Sequence, residues 1–445
     1  MQGNAIAYLM MFGWIPAVIY LFITYPPQRA LITSFIGAWL FLPVTVLVLP
    51  GIPDYSKMSA TCYGVLLCTL LFDAQRLTTF RFSLLDLPML LWCVSPFLSS
   101  MTNDLGAYDG ISATLDQTVT WGFPYLLGRI YINNLSGMRQ LAIGCFIGGL
   151  VYMPFCLYES RTFSSLHRTI YGFATFDNIA QAFRYGGYRP SVFMQHGLMV
   201  GMWMMLASLM GIVLWRTKIV KRVWNFSVSV WVVLLLITFV LVRSTGAYML
   251  LAFALGMLFI SKWTRNSLLV WAVVAGIVAY LYLGVSGGFP GKEILAALGQ
   301  VFEPDRIQSL EFRFQNEEVL SARARLHMWF GWGGFGRNRI FNEMGEDISV
   351  TDSLWIIVFG VNGAFGILTI FSTLLLPVLA FTIRFPAQLW LHPAVAPAAA
   401  LAMGLTMYVL DCVLNAMVNP VFALACGGLV SVILRPLPKE LRRLV

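Results

Sequence analysis

Apolar runs of bilayer-crossing length recur along the whole of this chain, and they restrict its fold more than any other feature. A run of roughly 17 to 25 apolar residues crosses a hydrocarbon core as a helix, and only helices or closed barrels satisfy their backbone there. Runs near 5–23, 31–50, 59–73, 84–102, 112–131, 138–158, 190–214, 224–242, 244–261, 267–285, 353–382, 395–415 and 418–434 predict twelve or thirteen spans. The weakest are 59–73, which is short, and 112–131, which carries Asp116 and Gln117. Charged residues make up only 11% of the 445 and apolar ones 59%, too little polar surface for a soluble chain. The expected fold is all-α, a polytopic membrane protein.

The formal charge of +9 does not point to nucleic acid, because the basic residues sit in short clusters between the runs. "DAQRLTTFRF", "NNLSGMRQ", "RTKIVKR", "SKWTR", "FTIRFP" and the tail "RPLPKELRR" fall on one side, while "TNDLGAYDG" and "NAMVNP" on the other carry no positive charge. The positive-inside rule makes the first side cytoplasmic. The N-terminus and two long loops, 159–189 and 286–351, are then outside. Residues 1–285 form about ten spans, 286–351 an extracytoplasmic cap, and 352–445 the last three spans and a cytoplasmic tail. The cap holds seven Lys/Arg and nine Asp/Glu, and "RIQSLEFRFQNEEVLSARARLHMWF" spaces Ile307, Leu310 and Phe314 for a helix on the membrane surface.

The first run lacks a charged leader and a small-residue cleavage site, so no cleavable signal is expected. Cys62, Cys68, Cys93, Cys145, Cys156, Cys412 and Cys426 lie in or beside apolar runs without metal spacing and read as free thiols. His167, His196, His327 and His392 show no ligand spacing either, so neither metal nor cofactor is expected. "FGWGGFGRNR" follows no strand and "GGFPGK" lacks phosphate-loop spacing. Their glycines read as turns that let backbone pack closely, with Arg337 and Arg339 within reach of an anionic ligand.

Arginines at the outer surface run against the positive-inside expectation. Arg189 in "YGGYRPSVFMQHG" precedes a span, Arg243 in "RSTGAYM" sits in a tight gap between two, and Arg313 lies in the cap. Arg243 either caps a hairpin by snorkelling or clamps an anion through its bidentate guanidinium. Arg189 is a packed loop residue or a second clamp, and Arg313 an ion-pair partner or a ligand contact. Asp352, at the head of a long apolar run, serves as an N-cap, as a general base, or as both. His196 is either a packing residue or, with Tyr188, a contact to substrate.

In these segments the chain resembles the bacterial O-antigen ligase and O-antigen polymerase family. The family's His-led ligase signature continues with nine residues, Gly, two residues and Gly; here Asp352-Ser353 is followed by that spacing to Gly363 and Gly366. "RSTGAYM", "RPSVFMQHG" and "RFQNEEVLSARARLHMWFGWGGFG" resemble its other elements and carry Arg243, Arg189 and Arg313. The resemblance covers roughly residues 120 to 430. It implies a metal-independent glycosyltransferase of the bacterial inner membrane, using an undecaprenyl-pyrophosphate-linked glycan at the extracytoplasmic face. Asp352, Arg243, Arg189 and Arg313 would be catalytic, with Arg337, Arg339, His196, Tyr188 and Gly363 binding substrate. A chain-length regulator or an acceptor would be its partner. Asp in place of His favours exopolysaccharide polymerisation, with ligation to a lipid or protein acceptor as the alternative. A lipid-linked solute transporter or flippase is the rival of another class, but it would place charges deep in several spans, whereas here only Arg129 is an isolated case.

Overall fold

The computed structural model describes residues 3–49, 52–175, 182–184, 186–300 and 304–442. Residues 176–181 and 185 of the first long loop and 301–303 of the second lie outside it. The chain is mostly helical. In chain order come α1 Ala5–Thr24, α2 Pro27–Phe41, the hairpin β1 Val46–Leu49 and β2 Ile52–Ser56, α3 Lys57–Phe72, α4 Leu87–Thr102, α5 Ala107–Gln117, α6 Phe123–Tyr131, α7 Leu135–Thr162 and α8 Leu166–Tyr171. A second hairpin pairs β3 Phe183–Arg184 with β4 Gly187–Tyr188. Then follow α9 Gly197–Arg216, α10 Val228–Leu241, α11 Thr245–Thr264, α12 Leu268–Ser286, α13 Gly291–Leu298, α14 Pro304–Arg325, α15 Leu354–Arg384, α16 Ala396–Cys412 and α17 Pro420–Leu434. Among the described residues seven helices are long and apolar enough to cross a membrane: α1, α4 with the turn before it, α7, α9, α11, α12 and α15.

The apolar runs become helices, with instructive differences at their ends. The run 31–50 does not continue as one span. Pro43 cannot donate a helical hydrogen bond and biases its predecessor to extended backbone. The β-branched "VTVLV" that follows then pairs as the first hairpin. The run at 190–214 starts as irregular chain, and α9 begins only at Gly197, where the His196 side chain caps it by accepting the Leu198 N–H at 3.1 Å. The doubtful run at 112–131 is one helical rod, with a π turn at 118–122 joining α5 to α6.

Helix α9 is apolar all round and buried along nearly its whole length, as such a helix must be. It stands at the centre, packed against α7, α10, α11 and α16. At one end of the bundle α6 and α17 approach so closely that a Cβ on Gly128 or Gly427 would overlap the opposing backbone. At the same end Arg129, the isolated charge of the sequence, pairs with Asp86 in the turn before α4. Nε donates to Oδ1 at 2.7 Å and Nη2 to Oδ2 at 3.0 Å, while Nη1 reaches Ser431 Oγ at 2.5 Å. Tyr125 adds a hydroxyl donor to Asp86 at 2.7 Å. A fork held in this way is a structural clamp.

The other departure is in α15. Gly363 has φ 68° and ψ −166°, so the helix is broken about 14 Å from its start. The 328–333 segment fills the break with its own backbone. Ala364 and Phe365 N–H donate to Met328 and Trp329 carbonyls at 2.7 and 3.1 Å, and Trp332 and Gly333 N–H donate to Gly360 and Val361 carbonyls at 2.8 and 3.1 Å. Ser99 and Asn103 of the α4 end bind the Val361 and Gly331 carbonyls. The loop 286–351 is therefore a helical cap whose glycine-rich end inserts into the bundle. Helix α14 packs on α12, α13 and α15.

Two stability outcomes follow. Arg129→Ala strands a buried carboxylate and should cost about 3–5 kcal/mol, whereas a paired replacement of Arg129 and Asp86 by Met and Leu should recover most of it. Gly363→Ala places a side chain in a glycine-only backbone region and against the Trp329 carbonyl, and should cost at least about 3 kcal/mol. Thermal unfolding of the purified protein in detergent reads both.

Candidate functional site

Opposite the Arg129 end of the bundle, the first long loop folds over the head of α9. A fully buried carboxylate, Glu159 in the last turn of α7, organises it. Its Oε2 accepts the Ser191 and Val192 N–H groups at 2.9 Å each, and its Oε1 accepts Leu166 N–H at 2.5 Å. Tyr152 Oη accepts Phe193 N–H at 3.1 Å. Val192 is held at φ 51°, a conformation costly for a β-branched residue. Three backbone donors thus lock 191–193 in place, and with them Arg189, whose aliphatic stem lies across Gly197 at the start of α9.

The second hairpin brings in a residue that the sequence did not single out. Arg243 occupies the turn between α10 and α11 at φ 57°, where glycine would be cheaper by about 1–2 kcal/mol. Its guanidinium lies on Gly187, which leaves no room for a Cβ, and Nη1 donates to the Arg184 carbonyl at 2.9 Å. Arg184 therefore joins the cluster. Tyr188, buried against Phe163 and Phe183, is a packing residue of this hairpin. Burial, with the Glu159 charge behind it, pushes its hydroxyl up to about 12.

His196 reports how the groups converge. Burial lowers its pKa below the ordinary imidazole value, the Arg189 and Arg184 charges lower it further, and the Asp352 charge acts in the opposite sense. Arginines of the first loop and the carboxylate before α15 thus act on one imidazole. Its Nδ1 accepts the Leu198 N–H, which leaves the neutral ring a donor at Nε2.

Asp352 stands half exposed beside Arg313, Nε to Oδ2 at 3.9 Å. It does not cap α15; Ser353 occupies the cap position. Two carboxylates missed in the sequence hold this corner. Glu317 of α14 accepts Ser353 Oγ at 2.6 Å, Trp355 Nε1 at 3.1 Å and Tyr280 Oη at 2.7 Å. Burial raises its pKa, against the pull of those three donors and the Arg313 charge. Asp411 ends α16 and accepts Asn415 Nδ2 at 2.9 Å. Its turn gives the Leu414 carbonyl to Arg313 Nη1 at 3.2 Å and the Asn415 carbonyl to the Leu354 N–H at 3.1 Å. A carboxylate at a helix C-terminus opposes the helix dipole, a signal that a closer reading of 395–415 would have caught.

The remaining sequence candidates are committed elsewhere. Arg337 donates to the Asn103 carbonyl at 3.1 Å and Arg339 pairs with Asp347, tying the cap to α4 and to itself. That pairing holds the Asp347 carboxyl down at about 2. Gly363 lies roughly 16 Å along the chain from Asp352 and shapes the helix break. Among the described residues no group of three or more His, Cys, Asp and Glu could hold a metal ion. The assembled corner is a patch of guanidinium groups at a helix N-terminus, suited to an anion, with a solvent-reachable carboxylate beside it.

Glu159→Ala should leave Ser191 and Val192 N–H without acceptors and lower the unfolding free energy by about 3 kcal/mol, with faster proteolysis near residue 190 as the second readout. A His196 titration followed by NMR checks the convergence itself. The midpoint should lie below that of a free imidazole, rise in Arg184→Ala, which removes a repelling charge, and fall further in Asp352→Asn, which removes an attracting one.

No protein-family model matches the chain, and no curated protein matches it in sequence.

Proposed function

We propose that the protein is a bacterial inner-membrane glycosyltransferase that polymerises oligosaccharide repeats carried on a polyprenyl pyrophosphate. The observation that supports this reading best is that the Arg189, Arg184 and Asp352 charges all bear on His196, with Arg243 held to the Arg184 carbonyl and Arg313 beside Asp352. Among the described residues, counting the shorter apolar helices α3, α10, α16 and α17 with the seven longer ones gives eleven spans, and adding α2 and the α5–α6 rod gives thirteen. The alternation of basic segments then puts this corner at the extracytoplasmic face.

In this reaction the donor's diphosphate lies against the arginines and its prenyl chain runs down between the helices. An acceptor hydroxyl loses its proton to Asp352, and the oxygen attacks the anomeric carbon of the donor sugar. The bond from that carbon to the pyrophosphate oxygen breaks, and the lipid pyrophosphate leaves with the electron pair. Guanidinium groups already in place neutralise the charge it gains, at no cost of reorganisation during the reaction. His196, as a neutral donor, binds a phosphate or sugar oxygen without adding charge. Glu317 and Glu159 hold the two halves of the site in register.

Asp352→Asn should lower polymer formation at least about 100-fold, the share of a general base, and Arg243→Ala should do so by a similar factor through lost charge stabilisation. Electrophoresis of envelope glycans from cells carrying each variant is the test, with membrane insertion checked in parallel. Single repeats retained without long chains support polymerisation. Full-length chains left unattached point to ligation, and wild-type polymer from both variants removes the catalytic assignment.

A further inference from the structure

Beside Glu317, the structure forms a half-open cavity of about 520 Å³ between the end of α12, the turn to α13, α14 and the first turn of α15. That volume falls within the range of small-ligand sites, roughly 300–1,000 Å³. Four rings line it. Tyr280 meets Phe289 edge to face at 4.9 Å and Trp355 at 6.0 Å, and Phe289 meets Phe314 at 5.0 Å. The rim is polar, with Glu311, Gln315, Glu318, Lys292 and Arg325 around it.

The charges of the lining decide what fits. An anion entering the cavity meets Glu293, Glu311, Glu317 and Glu318, and a cation meets Lys292 and Arg325. A purely apolar guest would strip water from the whole rim without replacing its hydrogen bonds. A neutral polyhydroxylated ring suffers none of these penalties. Its C–H face lies on aromatic rings, and its hydroxyls both donate to carboxylates and accept from ammonium, guanidinium and amide N–H. Gln315 is poised at the rim, its Nε2 donating to Glu311 Oε1 at 3.3 Å. Glu317 already accepts from three protein donors and serves as wall.

The same Glu317 carries the connection to the reacting corner. Its Oε1 holds Ser353 and Trp355, so the cavity backs onto the residue next to Asp352. We propose that this cavity is a saccharide-binding subsite on the acceptor side, gripping a sugar unit of the growing chain away from the hydroxyl that reacts. Its assignment to the acceptor rests on the transferase reading; the binding of a saccharide does not. Such a subsite would keep a long chain engaged between transfers, so that its loss shortens the product before it stops the chemistry.

The test uses the full-length protein in lipid nanodiscs, titrated with cellobiose, maltotriose and chitotriose while the fluorescence of Trp355 and its neighbours is followed. Tetramethylammonium and inorganic pyrophosphate serve as charged comparisons. Binding of at least one oligosaccharide, weakened about tenfold in Gln315→Ala and in Phe314→Ala and kept in Asp352→Asn, is the expected result. Gln315 is exposed, so its variant reads the site even if Phe314→Ala disturbs α13. No saccharide binding, binding indifferent to both variants, or binding of tetramethylammonium alone overturns the subsite. In cells, Gln315→Ala should shift the polymer to shorter chains. Polymer lost in Asp352→Asn but unaltered in both cavity variants sinks the subsite alone. Wild-type polymer from both Asp352→Asn and Arg243→Ala with saccharide binding intact removes the catalytic assignment and leaves the subsite standing.

Discussion

Polar groups inside an apolar bundle have no water to turn to, and this molecule is arranged around finding them partners within the chain. The Gly363 break shows the principle at the level of backbone. Opening α15 frees carbonyls and N–H groups that would each cost several kcal/mol in hydrocarbon, and the 328–333 segment pairs with the Ala364 and Phe365 N–H groups and the Gly360 and Val361 carbonyls. Such a join requires two backbones to touch, which is why Gly331 lies on the Val361–Asn362 backbone and Gly363 on the Trp329–Phe330 backbone without side chains. The cap is thereby anchored to the helix whose head carries Asp352.

Buried carboxylates follow the same rule and divide the labour. Asp86 holds Arg129 and clamps α6 to the start of α4 at one end, while Arg129 also reaches Ser431 of α17. Glu159 spends both oxygens on the backbone of a loop, trading the cost of its burial for the placement of Arg189. Glu317 satisfies three side-chain donors and fastens α14 and α12 to the start of α15. In each case the acid is a strut. Asp352, exposed by about half, is the one among these four carboxylates left accessible to a substrate.

The electrostatic design of the corner follows from those struts. Guanidinium groups repel each other, and a cluster of them at a positive helix terminus is stable only because loop, turn and hairpin are each pinned from below. Strain is stored in the same places, at Val192 and Arg243, both with positive φ. A patch built against its own repulsion and against backbone preference gains most when an anion enters it, which is the physical basis of the diphosphate proposal.

The sequence by itself determined the helical, membrane-type fold, because hydrophobic run length is a local property with a single structural answer in hydrocarbon. It also marked Arg189, Arg243, Arg313 and Asp352, since a charge at the edge of an apolar run is visible one residue at a time. Only the tertiary structure decided which charges meet. Arg184, Glu159, Glu317 and Asp411 look like ordinary loop or helix-end residues until folding brings together segments up to about 200 residues apart. Arg337 and Arg339 looked like ligand contacts until their carbonyl and carboxylate partners appeared. Proline and β-branched residues ended the second span early because backbone hydrogen bonding overruled hydrophobicity there. The glycine spacing after Asp352 was legible as a pattern, but its purpose, an open helix mended by a distant loop, depends on an approach of two backbones that no local rule encodes.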